Sequence, residues 1–144
     1  MTRALFLSIK PRYARSILEG RKTVEVRRKF PDLPAGTTIV LYSSSPERAI
    51  VGTVRLKQAS KLPPDRVWEL HSDAIDIAEE ALGEYLEGAD ASTLLEVEHP
   101  RAWERPVSLA SLRALLGFGP PQSFRYLDSL QVELIASSGS SETY

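Results

Sequence analysis

The stretch LEGRKTVEVRRKF, residues 18–30, carries seven charged residues, yet its centre alternates between polar and apolar side chains. This alternation predicts a β-strand with Val24 and Val26 on one face and Glu25 and Arg27 on the other. The two valines fix the register, because a slip by one residue would bury the charged face instead. The charged face must therefore look into solvent or into a cleft.

The charged residues of this strand are suited to a nucleotide. Glu25 accepts hydrogen bonds from amino or N–H groups, and Arg27 offers a planar fork of donors for a phosphate or a guanine edge. Lys22, just before the strand, adds a point charge. Together they can recognise a base and hold its phosphate. The alternative is an ion-pair ladder on the surface, of the kind that charged strands often form.

Composition indicates an ordinary globular domain. The chain has 144 residues, 42% of them hydrophobic and 26% charged, which is enough for one self-sufficient core. We expect a single domain over residues 1–135 and a flexible C-terminal tail over residues 136–144, where small polar residues dominate. The absence of cysteine and the two isolated histidines argue against a disulfide, a thiolate site or a zinc centre. We expect neither a metal nor a cofactor.

Neither a membrane span nor a secretion signal is predicted. No apolar run approaches the roughly 20 residues that a membrane helix needs. The N-terminal patch LFLSI, residues 5–9, is too brief for a signal-peptide core. A cytoplasmic protein is therefore expected.

Charge is distributed unevenly along the chain. Residues 1–29 hold nine basic and two acidic residues, whereas residues 65–98 hold eleven acidic residues and one basic residue. The basic end favours a polyanionic partner such as RNA, since lysine and arginine release counterions when they neutralise phosphates. The acidic segment 65–98 is interpreted either as the solvated side of helices or as a docking surface for a protein partner. Internal pairing of the two segments is the simpler alternative.

Periodicity and turn residues predict a mixed fold. Pro11 suits the first turn of a helix, Gly20 its left-handed end, and Ser108 the N-cap of another helix. An extended piece is expected around Trp103, and a turn or short helix over residues 120–129. The expected strands cover residues 4–9, 23–28, 37–42, 49–57, 94–98 and 130–136, and the expected helices cover residues 11–20, 64–71, 73–88 and 109–117. Strands outnumber helices and regular crossovers are missing, which favours a small curved β-barrel with flanking helices, of the α+β class.

The segment GRKTVEVR, residues 20–27, matches the G-x-K-x-x-E-x-R signature of the ASCH domain family, whose members have PUA-like β-barrels. Segments 7–31 and 39–54 resemble the family's opening and its central hairpin, and segment 108–127 resembles the closing part of one bacterial branch. The resemblance implies a cleft beside the signature strand that accepts RNA or a nucleotide-like ligand, with Lys22, Glu25 and Arg27 at the ligand. It also implies a role in transcription or translation regulation or in RNA metabolism.

Further residues are expected around that cleft. Lys10 and Arg28 can contact phosphate. Tyr42 can stack on a base or pack in the core, and Ser44 follows it in a loop of hydroxyls. A proline pair stiffens the loop before two polar residues that can line the cleft or cap a helix. These two are Gln122 and Ser123.

A hydrolase that uses the same cleft is the alternative. Some members of the family resemble amidohydrolases with a lysine, a nucleophilic threonine and a glutamate. Lys22 matches that lysine, but Glu25 stands where the threonine is expected, so the covalent chemistry would differ. Glu25 can instead be a general base, with Lys22 stabilising an oxyanion. A metal-independent ribonuclease, in which a lysine or a tyrosine assists attack by the 2′-hydroxyl, is the related possibility.

Overall fold

A curved sheet of six strands organises residues 3–139, the part of the chain that the computed structural model describes. The strands are Ala4–Ile9 (β1), Val24–Arg27 (β2), Thr38–Ser43 (β3), Ala49–Leu62 (β4), Ser92–Ser108 (β5) and Phe124–Leu127 (β6). The helices are Pro11–Leu18 (α1), Val67–Ile75 (α2), Glu79–Leu86 (α3), Leu109–Leu116 (α4) and Ser129–Gly139 (α5). The sheet order is β2-β5-β4-β3-β1-β6, with only β1 and β3 parallel. The predicted α+β class is confirmed.

Strand β1 is buried on both of its faces. Leu5 and Leu7 pack in one core cluster with α1, whereas Phe6 packs in a second cluster on the opposite face. All three are at most 2% exposed. This explains why ALFL, residues 4–7, is a continuous apolar run rather than an alternating one.

Helix α1 begins at Pro11, where the sequence predicts, and ends at Leu18, two residues before the predicted end. Pro11 occupies its first turn, and Ala14 and Ile17 bury its apolar face. Gly20 has a φ of +83°, the left-handed conformation that glycine adopts at low cost. The backbone N–H of Lys22 then donates to the carbonyl of Ser16, so the chain turns sharply into β2 beneath the helix.

Strands β4 and β5 form a long, bent antiparallel pair. The two extended pieces expected around residues 94–98 and Trp103 are one strand, which bends where His99 adopts a φ of +54° and where the register with β4 shifts. Gly52 sits at the closest approach of the two strands. A Cβ atom there would collide with the carbonyl oxygen of Arg101 and lie 2.9 Å from a methyl carbon of Leu18.

Two predictions for the C-terminal region are wrong. Segment 120–129, expected as a turn or short helix, contains β6, which pairs antiparallel with the free edge of β1. Segment 130–136, expected as a strand, lies in α5. That helix begins with a reciprocal capping box, because the Asp128 carboxylate accepts from the backbone N–H of Gln131 while the Gln131 side chain accepts from that of Asp128.

Helix α5 also crosses the predicted start of the tail. Residues 136–139, expected to be flexible, are helical. Gly139 packs so closely that an added Cβ atom would lie 2.6 Å from the indole of Trp103. Residues 140–144 of the predicted tail lie outside the described residues. A domain limited to residues 1–135 stays a prediction.

Within residues 3–139, no helix is both long enough and apolar enough to cross a membrane.

Candidate functional site

A cleft of about 570 Å³ opens beside the signature strand. Its walls come from the ends of β1 and β2, from the first turn of α1, from the segment around α3, and from loops near residues 44 and 122. The lining residues are Ser8, Ile9, Lys10, Tyr13, Glu25, Val26, Arg27, Ser44, Ile77, Ala81, Glu84, Tyr85 and Gln122. Five of the predicted ligand-binding residues are among them: Lys10, Glu25, Arg27, Ser44 and Gln122.

The signature side chains form a continuous chain of charge. Lys22 Nζ lies 3.4 Å from Glu25 Oε1, and Arg27 Nε donates to Glu25 Oε2 at 2.9 Å. The Glu25 residue is only 7% exposed. Since each carboxylate oxygen has its own cationic partner, the orientation of the group is fixed before any ligand arrives.

Lys22 lies behind the cleft rather than in it. Its side chain is fully buried, donates a hydrogen bond to the carbonyl of Ile75, and has Nζ 5.0 Å from the centre of the Tyr13 ring. Burial lowers the pKa of Lys22, and the attraction of Glu25 offsets part of that shift. The geometry makes Lys22 a positioning residue that holds Glu25 from below.

Arg27 connects the two ends of the sheet. Its Nη2 donates to the carbonyl of Ser8 at 2.9 Å, and its Nη1 lies 3.4 Å from Ser123 Oγ. Strands β2 and β6 are at opposite ends of the strand order. The guanidinium thus links β2 to β1 and to the residue before β6, and it brings the predicted Ser123 to the edge of the site.

A second polar cluster lies under Lys22. Asp76 follows α2 with a φ of +48°, and its carboxylate accepts hydrogen bonds from the buried hydroxyl of Ser16 and from Arg21. The negative charge of Asp76 also opposes the downward shift of the Lys22 pKa. The sequence pattern did not single out Asp76, because it stands in an acidic run typical of solvated helices.

Two predicted ligand-binding residues lie elsewhere. Arg28 Nη1 donates to the carbonyls of Tyr85 and Glu87 at 3.0 Å each, so its charge sits at the C-terminal end of α3. Tyr42 is 3% exposed and packs edge-on against Phe6 in the core. Packing is therefore the role that the structure gives Tyr42.

The cleft contains functional groups that sequence analysis missed. Tyr13 lies in α1, and Glu84 and Tyr85 lie in α3, within the acidic segment that is predicted to be the solvated side of helices. Only the sheet topology brings α3 opposite β2, so no local signal identified them. For metals, no group of three or more carboxylate or imidazole side chains comes together within residues 3–139.

Comparison with known proteins identifies relatives over nearly the whole chain. The sequence model of the ASCH domain matches residues 7–105. An ASCH domain-containing ribonuclease from Zymomonas mobilis is 30% identical over 135 residues, which cover 91% of this chain and 88% of the relative. The crystal structure of ASCH from Zymomonas mobilis has a TM-score of 0.90 at 25% identity and covers 95% of this chain and 96% of that one. Human THYN1, solved in complex with 5-methylcytosine-containing DNA, has a TM-score of 0.61 at 12% identity and covers 95% and 97% of the two chains.

Proposed function

The chain belongs to the ASCH domain family, and from that premise we propose that it binds RNA or a modified nucleotide in the cleft beside β2. The family and the PUA-like fold predicted from the sequence are confirmed. Binding of such a ligand would support a role in transcription or translation regulation or in RNA metabolism.

The mixed chemistry of the cleft carries this proposal. Lys10 and Arg27 supply positive charge, and Glu25 supplies a fixed acceptor. Tyr13 and Tyr85 add flat rings on which a base can stack. A nucleotide combines a phosphate, a polar base edge and a flat face in one molecule. The volume of about 570 Å³ also lies within the range typical of small-ligand sites.

Tyr85 provides a sharp test, because its side chain is 41% exposed in the cleft wall. We expect Tyr85→Leu to weaken binding of a short fluorescent single-stranded RNA by roughly tenfold, the usual effect of losing one stacking platform. Tyr85→Phe keeps the ring and should bind within about twofold of wild type. Fluorescence anisotropy measures both.

A charge-matched pair completes this test. Lys10→Ala removes a cation from the cleft, whereas Lys57→Ala removes an exposed cation on β4 that is not among the lining residues. Only the first should reduce affinity. Equal losses in the two lysine variants, together with full affinity in Tyr85→Leu, would refute binding in the cleft.

Ribonuclease activity is the second candidate, and the ribonuclease name of the 30% identical relative favours it. The 2′-oxygen of the RNA would attack the adjacent phosphorus while the bond to the 5′-oxygen breaks, leaving a 2′,3′-cyclic phosphate. In this scheme Glu25 takes the proton of the 2′-hydroxyl, and Lys22 holds Glu25 in place. Lys10 or a cleft tyrosine supplies the proton that the 5′-oxygen gains.

Cleavage assays distinguish the two candidates. An enzyme should cut end-labelled RNA but leave the same strand with 2′-O-methyl riboses intact. Glu25→Gln should abolish cutting, whereas Lys57→Ala, purified in parallel, should cut at the wild-type rate. Cutting that survives in Glu25→Gln would exclude this mechanism.

We also propose a cytoplasmic location, because RNA is the proposed ligand. A protein partner on the acidic segment 65–98 stays a further prediction, which capture experiments with charge-reversed variants of α2 and α3 would test.

A further inference from the structure

We propose that the cleft selects guanine, with Glu25 and Arg27 recognising the Watson–Crick edge of the base. This inference rests on the proposed function, since it specifies which ligand the same cleft takes. It is drawn from the hydrogen-bonding capacity that these two side chains retain after their contacts within the protein.

Glu25 retains acceptor capacity on both oxygens. Oε1 faces Lys22 at 3.4 Å, and Oε2 accepts one hydrogen bond from Arg27 at 2.9 Å. A carboxylate oxygen accepts at more than one site, so each oxygen can take another hydrogen bond. Because the group is oriented from both sides, the ligand need not order it.

Arg27 retains donor capacity beside that carboxylate. Its Nε, Nη1 and Nη2 atoms each donate once, to Glu25, Ser123 and Ser8. Each terminal nitrogen of a guanidinium carries two N–H groups, so one N–H remains on Nη1 and one on Nη2. The cleft therefore presents two neighbouring acceptors with a donor next to them.

Among the common RNA bases, guanine complements this order best. Its edge offers two adjacent donors, the exocyclic amino group and then the ring N–H, followed by the O6 acceptor. Cytosine and adenine each offer one amino donor, which would engage a single oxygen of Glu25. Uracil offers one N–H between two carbonyls, and these carbonyls would face the carboxylate unfavourably. Tyr13 and Tyr85 line the same cleft and can stack on the flat faces of the base.

The test compares short uridine oligonucleotides with one central residue varied among guanosine, inosine, cytidine, adenosine and uridine. Anisotropy titrations of the wild-type protein should give the tightest binding for guanosine. Inosine lacks only the exocyclic amino group and should bind roughly tenfold more weakly, the effect of losing one well-placed contact to a base.

A matched pair of variants assigns the preference to Glu25. Glu25→Gln replaces one acceptor with a donor, so its affinities for guanosine and uridine strands should fall within about twofold of each other. Glu98→Gln makes the same change on β5, outside the lining residues, and should keep the guanosine preference. Circular dichroism verifies that both variants are folded. If Glu25→Gln does not fold, the comparison of guanosine with inosine in the wild type decides.

The outcomes separate the two proposals. Equal binding of all strands, still weakened by Tyr85→Leu, overturns the guanine preference and leaves the proposed function standing. A preference for cytidine also overturns it, because Arg27 rather than Glu25 would then dominate recognition. If no strand binds, the proposed function fails and this inference fails with it.

Discussion

At the residue scale, the burial of the Lys22 ammonium group carries a large desolvation free energy. Removing an ammonium group from water costs several kcal/mol even after relaxation. Glu25, the carbonyl of Ile75 and the ring of Tyr13 surround the group and offset this cost. The signature spacing follows from this arrangement, because the turn at Gly20 delivers Lys22 beneath α1 and next to Glu25.

We therefore expect Lys22→Met to lower the free energy of unfolding by about 3 kcal/mol near neutral pH, the usual effect of removing one partner of a buried ion pair. The Ile75 carbonyl would also lose its donor. Urea denaturation followed by circular dichroism measures the change, with Lys57→Met as an exposed control. Equal stability of the two variants would contradict this account of Lys22.

The difference in the free energy of unfolding between the wild type and Lys22→Met should change with pH in one direction. The folded-state pKa of Lys22 lies below its ordinary value of 10.5, so the unfolded chain binds more protons between those two values. The free energy of unfolding of the wild type should therefore rise, relative to Lys22→Met, as pH increases toward 10.5. Tyr42, whose pKa burial raises, titrates in both proteins and cancels in the difference. A difference that shrinks with pH would contradict the lowered pKa.

At the element scale, sequence analysis was accurate where pattern and capping agreed. Helix α4 begins at Ser108, whose side chain accepts from the backbone N–H of Ser111, and ends at Gly117 in the left-handed conformation. The strand prediction for segment 130–136 is wrong because Leu130, Val132 and Leu134 alternate with polar residues as they would in a strand.

The structure resolves that conflict in favour of a helix. Leu130 and Leu134 are exposed by 64% and 39%, whereas Ile135 is fully buried. Asp128 and Gln131 form a capping box, which is the sequence feature that indicates a helix here. The short alternation does not determine the structure, because the leucines that create it are not buried. Strand β6 could not be predicted locally, because it is defined by its pairing with β1.

Two glycine substitutions test the packing of the elements in opposite directions. Gly52→Ala should destabilise the fold by roughly 1–3 kcal/mol, because its methyl group would collide with the β5 backbone and with Leu18.

Gly83→Ala, in α3 with open space around it, should stabilise the fold by roughly 0.5–1 kcal/mol, because alanine has a higher helix propensity than glycine. Thermal unfolding measures both. A Gly52→Ala protein as stable as the wild type would mean that strands β4 and β5 can separate at this point without cost.

At the scale of the whole molecule, several of the basic N-terminal residues make contacts within the protein and lie outside the cleft. Arg21 pairs with Glu19 and Asp76, Arg28 binds the end of α3, and Arg3 lies 4.1 Å above the ring of Tyr126. Only two of the nine basic residues line the cleft, namely Lys10 and Arg27. The sequence thus predicts the signature side chains beside the cleft, but it could not predict how folding distributes charge or which helix forms the opposite wall.

RNA binding should consequently depend only weakly on salt. At most two cleft cations can neutralise phosphates of a single strand, which limits the slope to about −1.4 in a plot of log affinity against log salt concentration, whereas nine contacts would give about −6. Anisotropy titrations over a range of sodium chloride concentrations measure the slope. A steep slope would show that RNA binds a wider basic surface than the cleft.

The hydrogen bond between Arg27 and Ser123 also determines when the cleft can be completed during translation. These residues are 96 positions apart, and the amide of Ser8 donates to the carbonyl of Ser123 as well. A nascent chain that already displays Lys22, Glu25 and Arg27 still lacks the far edge of the cleft until residues 122–127 have left the ribosome. The cleft is therefore completed late in the synthesis of the protein, when nearly all of the sheet is available to support it.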